Sequence, residues 1–211
     1  TGMLVMALEF RQAPKHIYPA QVMDVNYGTR WVKAHAAEFN GDPENVGGLG
    51  TSSGGHSMML SALRHDDPKY AAEPVPGGES KDASLRYAMT GWPVLDSHAR
   101  YMYAKASGVA RLIEPSEAYF PDEAAMIEGS PQESVERGDF SALPPMLILQ
   151  GTKDDNVPLE ISERFVEAYR ARGGDVERIL FPDMPHAFAQ KPGRDTDRAI
   201  DLMKGFLAQH V

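Results

Sequence analysis

The sequence predicts an α/β fold, a mostly parallel sheet with helices on both faces, and three observations predict it. Apolar runs of strand length alternate with stretches of helical period, the pattern of successive βα units. Those runs are continuous rather than alternating, as expected of strands covered on both sides. Of the 211 residues, 42% are hydrophobic, enough to fill one sizeable core in a single domain, residues 1–211.

The elements follow in order. Residues 3–8 (MLVMAL) read as a buried strand. Residues 19–39 set Ala20, Met23, Tyr27, Trp31 and Ala34 three and four apart, one face of a helix. GDPEN at 41–45 is turn chemistry, and a short strand at 46–50 runs into a helix at 53–65. The Pro-, Gly- and charge-rich stretch 66–81 is a loop, and 85–95 a strand. Residues 96–142 are weakly periodic, with Tyr101, Tyr103, Tyr119 and Phe120 scattered through them, and read as an irregular, cap-like helical insertion. Residues 146–149 (MLIL) form a strand. The helix at 159–172 turns Ile161, Phe165 and Ala168/Tyr169 inward and stops at Gly173-Gly174. A strand at 178–182 and a helix at 195–209, with Ala199, Leu202/Met203 and Phe206 inward, complete the chain. The immediate entry into a strand-like run reads as the interior of a longer protein.

Composition excludes several classes of function. A net charge of −9 repels phosphate backbones, so nucleic acid is not expected as a partner. The absence of cysteine removes disulfides, thiolate metal sites and cysteine nucleophiles. No apolar run is long enough to cross a bilayer, and the first residues lack a basic start and a cleavage site. The compartment stays open, with a lean towards the cytoplasm. No histidine–carboxylate spacing suits a metal, and no phosphate loop or dinucleotide fingerprint is present, so no cofactor is expected.

Gly50-Thr51-Ser52-Ser53-Gly54-Gly55 falls between a predicted strand and a predicted helix and matches G-x-S-x-G about Ser52. A serine raised on a sharp strand-to-helix turn needs a strained backbone, and the flanking positions are expected to be glycine because side chains there would clash. A plain glycine-rich turn has little reason to accept two glycines at a helix start, since each costs about 1 kcal/mol against alanine. Ser53 is the rival nucleophile, but the glycines sit symmetrically about Ser52. The Ser53 backbone N–H then becomes one oxyanion donor.

A serine hydroxyl needs a histidine to take its proton and an acid to orient that histidine. On strand–turn–helix serines these follow in the order acid, then histidine. Gln150-Gly151-Thr152-Lys153-Asp154-Asp155-Asn156-Val157-Pro158 comes directly after the MLIL strand, and offers Asp154 with Asp155 as alternative. Asp-Asp-Asn is otherwise common turn chemistry. His186 alone among the seven histidines follows the acid and sits in a loop at a strand end. Trp92 and Phe188 stand where they could line a substrate pocket or belong to the core.

With these segments in place, the chain resembles the esterase/lipase branch of the α/β-hydrolases, near the hormone-sensitive-lipase-like and related small-ester esterases. Glu9-Phe10-Arg11-Gln12-Ala13-Pro14-Lys15-His16 is similar to that family's Y-R-L-A-P-E segment, and Tyr18-Pro19-Ala20 with Asp24 to its P-A-x-x-x-D helix. Arg11 and Asp24 read as structural partners. Asp154 stands four residues before Pro158, where related esterases carry G-x-x-D-x-x-V-P. The GTSSGG turn departs from the G-D-S-A-G-G of the hormone-sensitive-lipase-like group. The family's H-G-G-G-type loop, which supplies the other oxyanion donors, is not in this sequence, and the resemblance implies that it lies upstream of residue 1 together with the first strands of the sheet. The resemblance implies a serine hydrolase of small or medium carboxylic esters, with Ser52, Asp154 and His186 as triad, a small-molecule ester as partner and homo-oligomerisation left open. A prolyl-oligopeptidase-like peptidase or amidase is the alternative, and a non-catalytic binding protein on the same scaffold a further one.

Overall fold

The computed structural model describes residues 2–79 and 81–211; Thr1 and Ser80, at the start of the expected domain and in the 66–81 loop, lie outside the described residues. Four strands form one sheet in the order β1 (Gly48–Thr51), β2 (Ala88–Gly91), β3 (Met146–Lys153), β4 (Val176–Pro185), and every adjacent pair is parallel. Parallel neighbours need crossovers, and helices supply them. Helix α1 (Ala20–His35) precedes β1, and α2 (Ser52–Leu63) leaves β1 without a linker. Four short helices, α3 (Ser97–Ser107), α4 (Ala110–Tyr119), α5 (Glu123–Glu128) and α6 (Pro131–Arg137), fill the connection from β2 to β3. Helix α7 (Leu159–Ala171) joins β3 to β4, and α8 (Arg194–His210) ends the chain.

The MLIL run shows why the strands are uniformly apolar. Met146 and Ile148 enter a core with Met59 and Leu63 of α2 and Phe165 and Tyr169 of α7. Their neighbours Leu147 and Leu149 enter the opposite core, with Phe181 of β4 and Ala199 and Phe206 of α8. Successive side chains of a strand point to opposite faces, so a strand covered on both sides has no polar face to show. The predicted inward faces of α7 and α8 are those observed.

Three expectations need correction. Residues 3–8 are not a strand: Met3, Leu4, Val5 and Leu8 are exposed, and the segment lies against α1, with the Leu8 side chain seated over Gly28. Apolar character alone does not make a strand; a neighbour must accept its backbone hydrogen bonds, and none of the described residues does so here. The buried stripe of α1 is Val22, Val25, Asn26, Thr29 and Arg30, not the Ala20–Ala34 series. Its polar members are buried because they are paired: Asn26 donates to the His65 carbonyl, and Arg30 to Asn26 and the Glu73 carbonyl. The 85–95 run contributes only Ala88–Gly91 to the sheet, because the chain turns at Trp92 (φ 41°) into Pro93, which has no N–H to give.

Helices α3–α6 lie within residues 96–142. Tyr101, Tyr119, Phe120 and Met126 form a third cluster with Tyr18, Val22, Leu60 and Tyr70. Asp96 and Asp122 cap α3 and α5, each accepting from the backbone N–H three residues on. Among the described residues, no helix is long and apolar enough to cross a membrane.

Candidate active site

The carboxyl ends of β1, β3 and β4 converge, and each carries one of the residues singled out in the sequence. Ser52 is the first residue of α2, with φ at 50°. A non-glycine residue in the left-handed region costs of order 1–3 kcal/mol, a strain that clusters at functional sites. The local sequence makes this turn possible through Gly50: a Cβ there would meet the backbone of Gly54 and Gly55 at 2.7–2.9 Å. Gly55 is confined in turn by Pro93 at 2.9 Å. Gly54 is not confined; a Cβ there would touch nothing within 4 Å, so the steric requirement expected on both sides of Ser52 holds at Gly50 and Gly55 instead.

His186 follows β4 directly. Its Nε2 lies 3.0 Å from Ser52 Oγ, and its Nδ1 lies 2.9 Å from both carboxylate oxygens of Asp154. A carboxylate only accepts, so Nδ1 carries the proton, and the Nε2 of the neutral ring is left to accept from the serine hydroxyl. The Asp154 side chain is fully enclosed, and that of His186 is 14% exposed. The carboxylate is held by the backbone N–H groups of Asn156 and Val157, each 2.9 Å from Oδ1. Asp155, the alternative acid, turns outward and pairs with Arg111 at 2.9 Å on the surface. Ser53 occupies the second position of α2, where a helix leaves backbone N–H groups without an intrahelical acceptor.

The meeting of acid and base depends on a residue to which the sequence reading assigned no role. At Gly151 the end of β3 passes so close to β4 that a Cβ would lie 2.1 Å from the Met184 carbonyl oxygen, and the strand register shifts between Gly151 and Lys153. That crossing brings Asp154 under His186. Gln150 adds a second support: buried at the strand end, it donates to the Val157 carbonyl (2.8 Å) and accepts from Ser162 (2.5 Å). A polar residue closing an apolar strand was the available signal.

Trp92 is buried and stands edge-on to the His186 ring, with centroids 6.2 Å apart. Phe188 lies behind it, 5.2 Å from the Trp92 ring and 4.5 Å from Phe181 of the core. Arg11 and Asp24 form the expected structural pair, at 2.6–3.0 Å. His56, one turn beyond Ser52 on α2, is not part of the constellation; its Nε2 donates to the Gly129 carbonyl at 2.7 Å. Burial pushes the His56 pKa down to about 4. A cleft of about 530 Å³ between Lys33 and Pro145 lies at the amino ends of β1, β2 and β3, away from these residues. Among the described residues, no three histidines, aspartates or glutamates gather to hold a metal ion.

A parallel sheet covered on both faces, with a serine on the turn after one strand and an acid and a histidine after two later ones, defines an α/β-hydrolase. The chain belongs to the BD-FAE family, whose model matches residues 1–169. It is 29% identical to the probable carboxylic ester hydrolase LipM of Mycobacterium tuberculosis, across 100% of this chain and 45% of that protein. It is 29% identical also to esterase LipC of the same organism, across 99% of this chain and 51% of that protein. The chain thus spans about half the length of these relatives. A solved thermophilic esterase of Thermogutta terrifontis, bound to propionate, superposes with a TM-score of 0.69 at 25% identity, covering 94% of this chain and 66% of that one. The same esterase 2 is known phosphoramylated by tabun, at a TM-score of 0.68 and 25% identity, over 94% of this chain and 66% of that one. The resemblance to esterases and the expected fold are borne out at this level.

Proposed function

We propose that the protein is a serine hydrolase of small or medium carboxylic esters, acting through an acyl-enzyme on Ser52. The observation that carries this is the continuous relay from Ser52 Oγ through both nitrogens of His186 to the enclosed Asp154 carboxylate. Ser52 Oγ forms a bond to the ester carbonyl carbon while its proton passes to His186 Nε2. Asp154 holds the Nδ1–H tautomer and stabilises the imidazolium. The carbonyl oxygen, now an anion, accepts from the Ser53 N–H. Collapse breaks the bond to the alcohol oxygen, which takes the proton from Nε2. Water then repeats the sequence on the acyl-Ser52 and releases the acid. No cofactor takes part.

Trp92 is taken as a wall of the substrate pocket, and Phe188 as its continuation. The α3–α6 insertion, taken as a cap, bounds the size of the substrate. The propionate-bound relative supports short acyl groups.

The test measures hydrolysis of p-nitrophenyl acetate, butyrate and octanoate together with labelling by a fluorophosphonate, for the chain and for Ser52→Ala. Hydrolysis and labelling that both vanish in Ser52→Ala are the expected result, with acetate and butyrate preferred. Equal activity in Ser52→Ala removes Ser52 as nucleophile. A folded chain inert to esters that cleaves peptide substrates establishes the peptidase alternative instead.

A further inference from the structure

We propose that Arg100, on α3 of the insertion, is a positioning residue for the acid of the site: it fixes Asn156, and Asn156 fixes Asp154. This rests on Asp154 being the triad acid. The Arg100 Nε lies 3.2 Å from the Asn156 carbonyl oxygen and 3.0 Å from its Oδ1, and Nη2 lies 2.7 Å from the same Oδ1. The Asn156 backbone N–H then donates to Asp154 Oδ1 at 2.9 Å, one of the two oxygens that receive His186 Nδ1. A single chain of hydrogen bonds thus runs from α3 to Ser52.

Three features make this more than a surface contact. Asp154 lies just beyond the last residue of β3, where its own N–H makes only a turn bond to the Gly151 carbonyl at 3.3 Å, so a contact from α3 adds to what holds the loop. The guanidinium is desolvated: burial pushes its pKa down, the neighbouring Arg111 adds to the effect, and the Asp154 charge opposes it. A buried cation ordinarily takes a carboxylate partner. Yet among the described residues Arg100 forms no ion pair, and its planar fork is spent on the two oxygens of one asparagine. The same loop is touched by Tyr103, whose hydroxyl donates to the Asp155 carbonyl at 3.4 Å, and by Arg111 on Asp155, but both contacts are exposed. Arg100 is the half-buried anchor, and its bonds to Asn156 are partly shielded from solvent.

The experiment compares Arg100→Met, Arg100→Lys, Asn156→Ala and the double variant Arg100→Met/Asn156→Ala with the unaltered chain. The readouts are kcat and KM on p-nitrophenyl butyrate, the rate of Ser52 labelling by a fluorophosphonate, and the far-downfield proton resonance of His186 Nδ1–H. Arg100→Met is expected to lower kcat and labelling by about tenfold to a hundredfold, the range for removing a residue that orients another, with KM nearly unchanged. The downfield resonance weakens or shifts. Arg100→Lys recovers part of the loss, since an ammonium keeps the charge without the fork. The double variant is no worse than the more impaired single one, because both break one chain.

A folded Arg100→Met with lower thermal stability but unaltered kcat, labelling and resonance overturns the proposal in favour of a purely structural arginine. A rise in KM alone overturns it in favour of a substrate contact. Should Arg100→Met not fold, Asn156→Ala decides by the same readouts. Failure of the underlying triad is separate, because it shows as activity retained in Ser52→Ala or in Asp154→Asn.

Discussion

At the scale of single residues, the turn at Ser52 rests on an asymmetry that its motif conceals. Gly50 and Gly54 look equivalent about Ser52, yet a Cβ at Gly50 would strike backbone at 2.7 Å while one at Gly54 would meet nothing. Overpacking against atoms that cannot move costs typically about 1–3 kcal/mol, and here it would also displace a strained serine. Gly50→Ala is therefore expected to lower thermal stability and activity together, whereas Gly54→Ala, an open position inside α2, raises the melting temperature slightly. Thermal unfolding of both variants checks this, and equal melting temperatures would contradict it. The strained turn at Ser52 was legible, because the glycine it needs at position 50 is adjacent in sequence. Asp154 was named ahead of Asp155 on its spacing to Pro158, but the physical difference between them was not readable: the Asn156 and Val157 N–H groups hold Asp154, while Asp155 turns outward to Arg111.

At the scale of elements, α2 links the site to the rest of the fold through His56. This imidazole is enclosed, donates to the Gly129 carbonyl before α6, and packs edge-on against Tyr119 and Phe120. Its pKa falls to about 4, chiefly through burial, against an ordinary 6.5. Between these values the unfolded chain binds a proton that the folded chain refuses. Stability from this group is thus fully present above pH 6.5 and is lost as pH falls towards 4. The loss is on the order of 3 kcal/mol, one pKa unit being about 1.4 kcal/mol. His56→Gln keeps a donor for Gly129 without a titrating group. Its melting temperature is expected to fall less than that of the unaltered chain between about pH 7.5 and 4.5. Thermal melts at the two pH values provide the check, and parallel falls would show that His56 is not the responsible group.

Legibility of the elements follows the range of the forces that form them. The strand β3 and helices α7 and α8 were readable because continuous apolar runs and 3.6-residue stripes are local patterns. The face of α1 was not, because Asn26 and Arg30 are buried by partners 39 and 43 residues away. The 3–8 run misled for the related reason that strand formation is decided by a neighbour. Gly151 was unreadable as a crossing point, since only the β3–β4 register shows what a side chain there would meet.

At the scale of the whole molecule, the question is whether the helical insertion is an appendage or part of one folding unit. Its aromatic residues Tyr101, Tyr119 and Phe120 share a cluster with Tyr18 ahead of α1, Val22 of α1, Leu60 of α2 and Tyr70 of the following loop. Phe120 stands at its centre, 5.3 Å from the Tyr18 ring, 4.7 Å from Tyr119 and 6.0 Å from His56. Residues so far apart in sequence cannot bury this surface unless α1, α2 and helices α3–α5 come together. Helix α2 also lies between the sheet core, through Met59, and this cluster, through Leu60. Truncating a buried phenylalanine to alanine costs about 3–5 kcal/mol. Phe120→Ala is therefore expected to lower the melting temperature by on the order of 10 °C while unfolding stays a single transition. The fluorescence of Trp31 and Trp92 reports α1 and the site, and far-UV circular dichroism reports all the helices. Coincident transitions that shift together establish one cooperative unit. An early dichroism step with unmoved fluorescence would instead make α3–α6 a separately opening cap, and access to Ser52 would then be set by that opening.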